Sequence, residues 1–189
     1  MVATVRSKAL ALGAENILVM VADAETLDAE AGYFDLVVIG SAFHRLDREL
    51  VAGRVLRWLR PGGYLAVCWS DDPSSGDQDW QRAFAAIVDT WQGEGRVPAN
   101  WAEPQRQRPD AQVLSDAGFE VTGRREFVVK HHWTLAELAG YARSMSVFPP
   151  AVRGAQSAEF DAALAAALGP ATTFTATVTY ARDLARRPR

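Results

Sequence analysis

At 189 residues, with 49% apolar and 23% charged residues, the chain has the size and composition of one globular domain with a buried core. Its net charge of −3 and pI of about 5.6 give no support for a nucleic-acid partner, and a single cysteine, Cys68, excludes an intramolecular disulfide and fits a reducing cytosol. No apolar run approaches the ~20 residues of a bilayer span, and MVATVRSKALALGAEN lacks the order of a signal peptide, so a cytoplasmic protein is expected.

In chain order, Val5, Ala9 and Leu12 recur at helical spacing, and Gly13 is placed to cap that helix. Ile17–Val21, Phe34–Ile39 and Tyr64–Trp69 are short β-prone runs suited to strands buried on both faces. Between the last two, Arg48–Arg60 carries Leu50, Val51, Val55, Leu56 and Leu59 on one helical face, and Pro61-Gly62-Gly63 ends it. Strand, helix, turn, strand predicts a βαβ unit of a parallel sheet. A polar loop, DDPSSGDQD, follows, then a helix from Trp80 to Trp91 and a Gly-, Pro-, Gln- and Arg-rich stretch from Gly93 to Pro109. Asp110–Ala117 reads as a short helix closed by Gly118, and Phe119–Thr122 and Glu126–Lys130 read as β-like. Thr134 and Glu137 form a capping box for a helix to Ser144, and alanine-rich Ala158–Leu168 is a further helix. Thr172–Tyr180 alternates like an antiparallel edge or hairpin strand with one wet face, and Arg182–Arg189 reads as a solvated helix end or frayed tail.

Ligands of open α/β sheets bind beyond the carboxyl ends of the strands, and two polar clusters fall there. Asp23-Ala24-Glu25 follows Ile17–Val21; a carboxylate there can accept from an adenine amino group, or can merely cap the next turn. Gly40-Ser41-Ala42-Phe43-His44 follows Phe34–Ile39. His44 has the intrinsic pKa of a general base, or can order the loop by hydrogen bonding. Asp35, early in its strand, reads as fixing the preceding turn. Ser41, His44 and Asp47 lack the G-x-S-x-G elbow of a hydrolase. His131-His132 point to opposite faces of a strand with no Cys or carboxylate cluster beside them, so no metal is implied.

The stretch from Val19 to Ser70, read through VMVADAETLD, YFDLVVIGSAFHRLD and VLRWLRPGGYLAVCWS, resembles the second half of a class I S-adenosylmethionine (SAM)-dependent methyltransferase core of the small-molecule, type 11-like kind. Trp133–Phe148 resembles the corresponding segment of the branch that includes trans-aconitate methyltransferase-like proteins. The resemblance implies a Rossmann-like α/β sheet in the order 3-2-1-4-5-7-6 with its last strand antiparallel, SAM as cofactor, and direct methyl transfer to a small molecule. It implies cofactor contacts at Asp23, Ala24, Glu25, Ser41 and Ala42, and an acceptor near Phe43, His44 and Trp133, with His44 as the candidate catalytic base. The chain then reads as a single incomplete domain: 1–70 form the cofactor-side half, and 71–118 and 131–170 form helical lid or substrate-side insertions. The family's GxGxG turn and first two strands do not precede this stretch. Ile17–Val21 would be the third strand, separated by roughly 14 Å from the fourth, Phe34–Ile39. The expected outcomes are a longer natural protein, a third strand shifted beside the fourth, or a partner chain, such as a second copy, on the exposed edge. Weak SAM binding, or none, is expected without the turn, and a non-catalytic dimerisation or partner-binding module is the alternative function.

Overall fold

The computed structural model describes residues 2–92, 105 and 107–189; most of the stretch from Gly93 to Pro109, and Trp101, lie outside them. Its sheet has four strands: β1 (Phe34–Gly40), β2 (Leu59–Ser70), β3 (Glu120–Thr134) and β4 (Thr173–Arg186). They lie in the order β1-β2-β4-β3, with β1 and β2 parallel and β4 antiparallel to both of its neighbours. That is the 4-5-7-6 half of the expected order. Helix α1 (Val2–Ala11) precedes the sheet, and Gly13 after it has φ +61°.

The βαβ unit forms as the hydrophobic spacing required. Helix α2 (Arg48–Trp58) joins β1 to β2 and buries Val51, Ala52, Val55 and Trp58. Its N-cap is Asp47, whose carboxylate accepts the Leu50 N–H at 3.0 Å. The helix stops at Trp58, and Pro61-Gly62-Gly63 is absorbed into β2 as an irregularity, where the register jumps from Phe34↔Leu59 to Leu36↔Tyr64. A Cβ at Gly63 would lie 3.0–3.2 Å from the carbonyl oxygens of Arg60, Asp35 and Phe34, so the close backbone approach requires glycine there. Asp35 is ion-paired with Arg60 at this irregularity.

Ile17–Val21 does not form the expected strand. Leu18 and Val21 are 87% and 85% exposed, and the segment has no partner in the sheet. A strand built to be buried on both faces needs neighbouring strands for its backbone and cover for its side chains. Here no strand among the described residues pairs with it, and its Val19 carbonyl accepts instead from the Arg6 side chain at 3.0 Å. It has not shifted beside β1, whose outer edge carries no strand among the described residues.

The carboxyl-terminal half departs from the sequence reading more usefully. The two β-like runs around Gly123 are one long strand, β3, with a register shift between Val121 and Gly123. The Arg182–Arg186 segment, expected as a helix end or tail, continues β4, which is an inner strand rather than an edge. Pairing to β2 on one side and β3 on the other satisfies a basic segment that has no apolar run of its own.

Strand β4 also serves two cores. It buries Phe174, Ala176 and Val178, then Ala181, Asp183 and Ala185, so the buried parity changes along the strand. Successive strand residues point to opposite faces, and the two sets therefore face opposite sides of the sheet. Ala185 joins the first core with Leu59, Leu65, Val67, α2 and α4 (Asp110–Asp116). Phe174 joins the second core with α3 (Asp79–Trp91), α5 (Leu135–Ser144) and α6 (Ser157–Leu168). Helix α5 has the predicted capping box: Glu137 N–H donates to Thr134 Oγ1 at 3.2 Å, and Thr134 N–H donates to Glu137 Oε2 at 2.8 Å. The loop after β2 bridges the halves, since Tyr141 O–H donates to Asp72 Oδ2 at 2.8 Å and Thr179 N–H donates to Asp71 Oδ2 at 2.9 Å.

Candidate active site

Past the end of β1 the chain turns sharply at Ser41, a non-glycine residue with φ +48°. The left-handed conformation strains a residue bearing a Cβ, and here Ser41 N–H donates to the Cys68 carbonyl at 2.8 Å, which helps hold it. The turn delivers Ala42, Phe43 and His44 to a cavity of about 560 Å³. Its other walls come from Trp69 on β2, Val121 and Arg124 on β3, Asp183 on β4, and Asp110 at the start of α4. A broader hollow of about 1000 Å³ lies elsewhere, between the start of α3 and the start of β4, and contains none of the sequence-predicted site residues.

The structure brings four of those residues to the smaller cavity: Ser41, Ala42, Phe43 and His44. Phe43 is only 2% exposed and packs into the first core as well. His44 is half-buried; burial first, and then the Arg45 guanidinium, lower its pKa below the ordinary histidine value, against Asp110, which raises it. The imidazole is therefore neutral at pH 7, with Nε2 accepting from Arg45 Nε at 3.3 Å.

The other predicted positions lie apart from this cavity. Asp23 is exposed, and its Oδ1 accepts the Glu25 N–H at 2.8 Å, a local turn of the capping kind. Glu25 Oε1 accepts the Asp47 N–H at 2.8 Å and so ties that turn to the start of α2. Ala24 packs against the first core. Trp133 belongs to the second core, where its ring lies 4.1 Å from His131 and 5.6 Å from Tyr141, with Nε1 buried and unpartnered. His132 Nδ1 lies 2.9 Å from Thr175 Oγ1.

Sequence reasoning missed Trp69, Asp110, Arg124 and Asp183 as cavity residues. Asp183 carried one usable signal: it alternates in phase with Ala181 and Ala185, a carboxylate on a small-residue strand face. Arg48 Nη1 donates to Asp110 Oδ1 at 2.8 Å, with the two side chains 13% and 11% exposed, and closes the cavity rim between α2 and α4. Arg124 donates to Glu126 Oε1 at 2.9 Å, and its guanidinium lies 4.6 Å from the centre of the Trp69 ring.

These residues do not by themselves fit SAM. The turn at Ser41 is placed beside the cavity, but Asp23, Ala24 and Glu25 do not line it, and no glycine-rich turn lies among the described residues to join the two clusters.

Residues 1–67 match the family described as a methyltransferase domain, and no curated protein matches the chain. Among solved structures, a protein of Bacillus halodurans C-125 assigned as a methyltransferase aligns over 100% of this chain and 79% of its own, at 14% identity and a TM-score of 0.53. The cyclase SpnF aligns over 99% of this chain and 63% of its own, at 19% identity and a TM-score of 0.51. A protein of Anaeromyxobacter dehalogenans assigned as a type II methyltransferase aligns over 90% and 72%, at 20% identity and a TM-score of 0.50. These likenesses are of fold, and SpnF shows that the fold also hosts a cyclase. The match to the methyltransferase domain is confined to residues 1–67, and over its length the chain shares the Rossmann-like fold of these solved methyltransferase structures.

Proposed function

We propose that the protein acts in SAM-dependent methyl transfer to a small-molecule acceptor, with this chain forming the acceptor side of the site. The reading rests on the cavity beside the strained Ser41 turn, at the end of β1 and within the family match. A cleft of about 560 Å³ suits a small molecule. In that cavity Phe43 and Trp69 offer apolar contact, and the neutral His44 offers a hydrogen bond to the acceptor. Asp23, Ala24, Glu25, Ser41 and Ala42 are the positions that SAM would reach once a glycine-rich turn completes the cofactor side. The test is to fuse a strand–GxGxG–strand segment ahead of Val2 and measure S-adenosylhomocysteine release with small amines and phenols. Turnover by the fused protein and none by the 189-residue chain is expected; a fused protein that binds SAM yet never turns over would overturn the reading.

A second reading has its own observation. Strand β1 lies at the sheet edge with Leu36 and Val38 52% and 57% exposed, and an unpaired apolar edge favours addition of another strand. Pairing of β1 with β1 of a second copy would make the chain a dimerisation module. Sedimentation should then show a dimer that Val38→Lys converts to monomer; a wild-type monomer at tens of micromolar would exclude it.

A further inference from the structure

Asp183 is 7% exposed, yet it makes no hydrogen bond and no ion pair among the described residues. The neighbouring charges are committed elsewhere. Arg124, its cross-strand partner in register, is paired with Glu126 and stacked on Trp69. Asp110 is held by Arg48 at 2.8 Å and accepts from Gln105 Nε2 at 3.0 Å. Burial pushes the Asp183 carboxyl above its ordinary range, Arg124 pulls it down, and Asp110 and Glu126 push it up. A buried carboxylate without a partner is costly, and folded proteins either neutralise such a group or give it a counter-charge. This one lines the cavity that also holds Phe43, Trp69 and Val121.

We propose that Asp183 is the specificity anchor of this cavity: its carboxylate receives the ammonium of a small primary amine whose apolar body packs on Phe43, Trp69 and Val121. The inference deepens the methyl-transfer reading by naming the acceptor class, and it rests on taking this cavity as the acceptor site. An amine suits the chemistry better than an acid. Among the described residues that line the cavity, Asp110 and Arg124 are each paired, which leaves Asp183 as the charge without a partner, and the neutral His44 adds no cation to hold an anion.

Binding can be read without SAM, by calorimetric titration of the 189-residue protein with phenethylamine and with phenethyl alcohol, which shares the apolar body but not the charge. Phenethylamine should bind saturably and at least about ten-fold tighter than the alcohol at pH 7, and Asp183→Asn should erase that difference. Equal affinities, no saturable binding of the amine, or unchanged amine binding by Asp183→Asn would each overturn the proposal. The variant should also remain folded. A raised carboxyl pKa means that ionisation costs the empty protein stability as pH rises above the ordinary carboxylate value, so Asp183→Asn should raise Tm at pH 7 by about 3 °C. That gain should shrink as pH falls and the wild-type carboxyl takes up its proton. A fall in Tm at pH 7 would reveal a structural partner for Asp183 and overturn the proposal. Failure of the fused protein to turn over would leave these binding results standing, so the two readings fail separately.

Discussion

Titration of the 189-residue chain with SAM should give no saturable binding in the micromolar range. A nucleoside cofactor of this kind gains affinity from convergent contacts along its length, and its polar and charged groups must all find partners on leaving water. At one end this chain offers the turn at Ser41 and Ala42. At the other, the group expected to hold the adenine is turned to local structure: Asp23 Oδ1 accepts the Glu25 N–H, and neither Asp23 nor Glu25 lines the cavity beside Ser41. The segment that should carry Asp23 at the end of a strand, Ile17–Val21, lies outside the sheet, so no strand pairing sets Asp23 at the ligand-binding end of the sheet beside Ser41. Loss of backbone N–H donors from a glycine-rich turn cannot be made good by side chains, because only closely spaced main-chain amides approach a ligand that tightly. Isothermal calorimetry reads the outcome directly, and a micromolar Kd would mean that Asp23 and Ser41 suffice to hold the cofactor.

Arg48→Ala should destabilise the protein by about 3 kcal/mol, because it removes one partner of a buried ion pair and leaves the other charge behind. Arg48 Nη1 bridges the Asp110 carboxylate and the Arg108 carbonyl, each at 2.8 Å, and thereby clamps the start of α4 to the start of α2. Both side chains are nearly nine-tenths buried, so water cannot replace the lost guanidinium cheaply. The double variant Arg48→Ala/Asp110→Ala should recover part of the loss, since it removes the orphaned carboxylate as well. Urea denaturation of the wild type, Arg48→Ala, Asp110→Ala and the double variant completes the cycle. A loss below about 1 kcal/mol for Arg48→Ala would place the pair in the solvent-screened class.

The same contacts show where sequence reading succeeds. Helix α2 was legible because its apolar residues recur every three to four positions, and α5 because Thr134 and Glu137 cap it reciprocally; both are local effects. The loop from Ser41 to His44 was legible as a site because strand ends in α/β sheets are where ligands sit. Ile17–Val21 misled because β propensity expresses itself only with a pairing partner, and the exposed Leu18 and Val21 show what the segment does without one. The Arg182–Arg186 segment misled in the opposite sense, since a charged sequence became an inner strand through pairing with β2 and β3. The resemblance puts Trp133 at the acceptor, whereas the strand parity that sets it beside Tyr141 packs it against the second core.

By itself the sequence determined the βαβ unit, most of the helices and the capping box at Thr134 and Glu137, because spacing and turn chemistry act over a few residues. Only the tertiary structure decided which strands pair, that β4 serves two opposite cores, and that a carboxylate from the far end of the chain lines the same cavity as His44 and Trp69. Those outcomes depend on contacts between residues over a hundred positions apart, such as Cys68 with Arg182, and no local pattern encodes them.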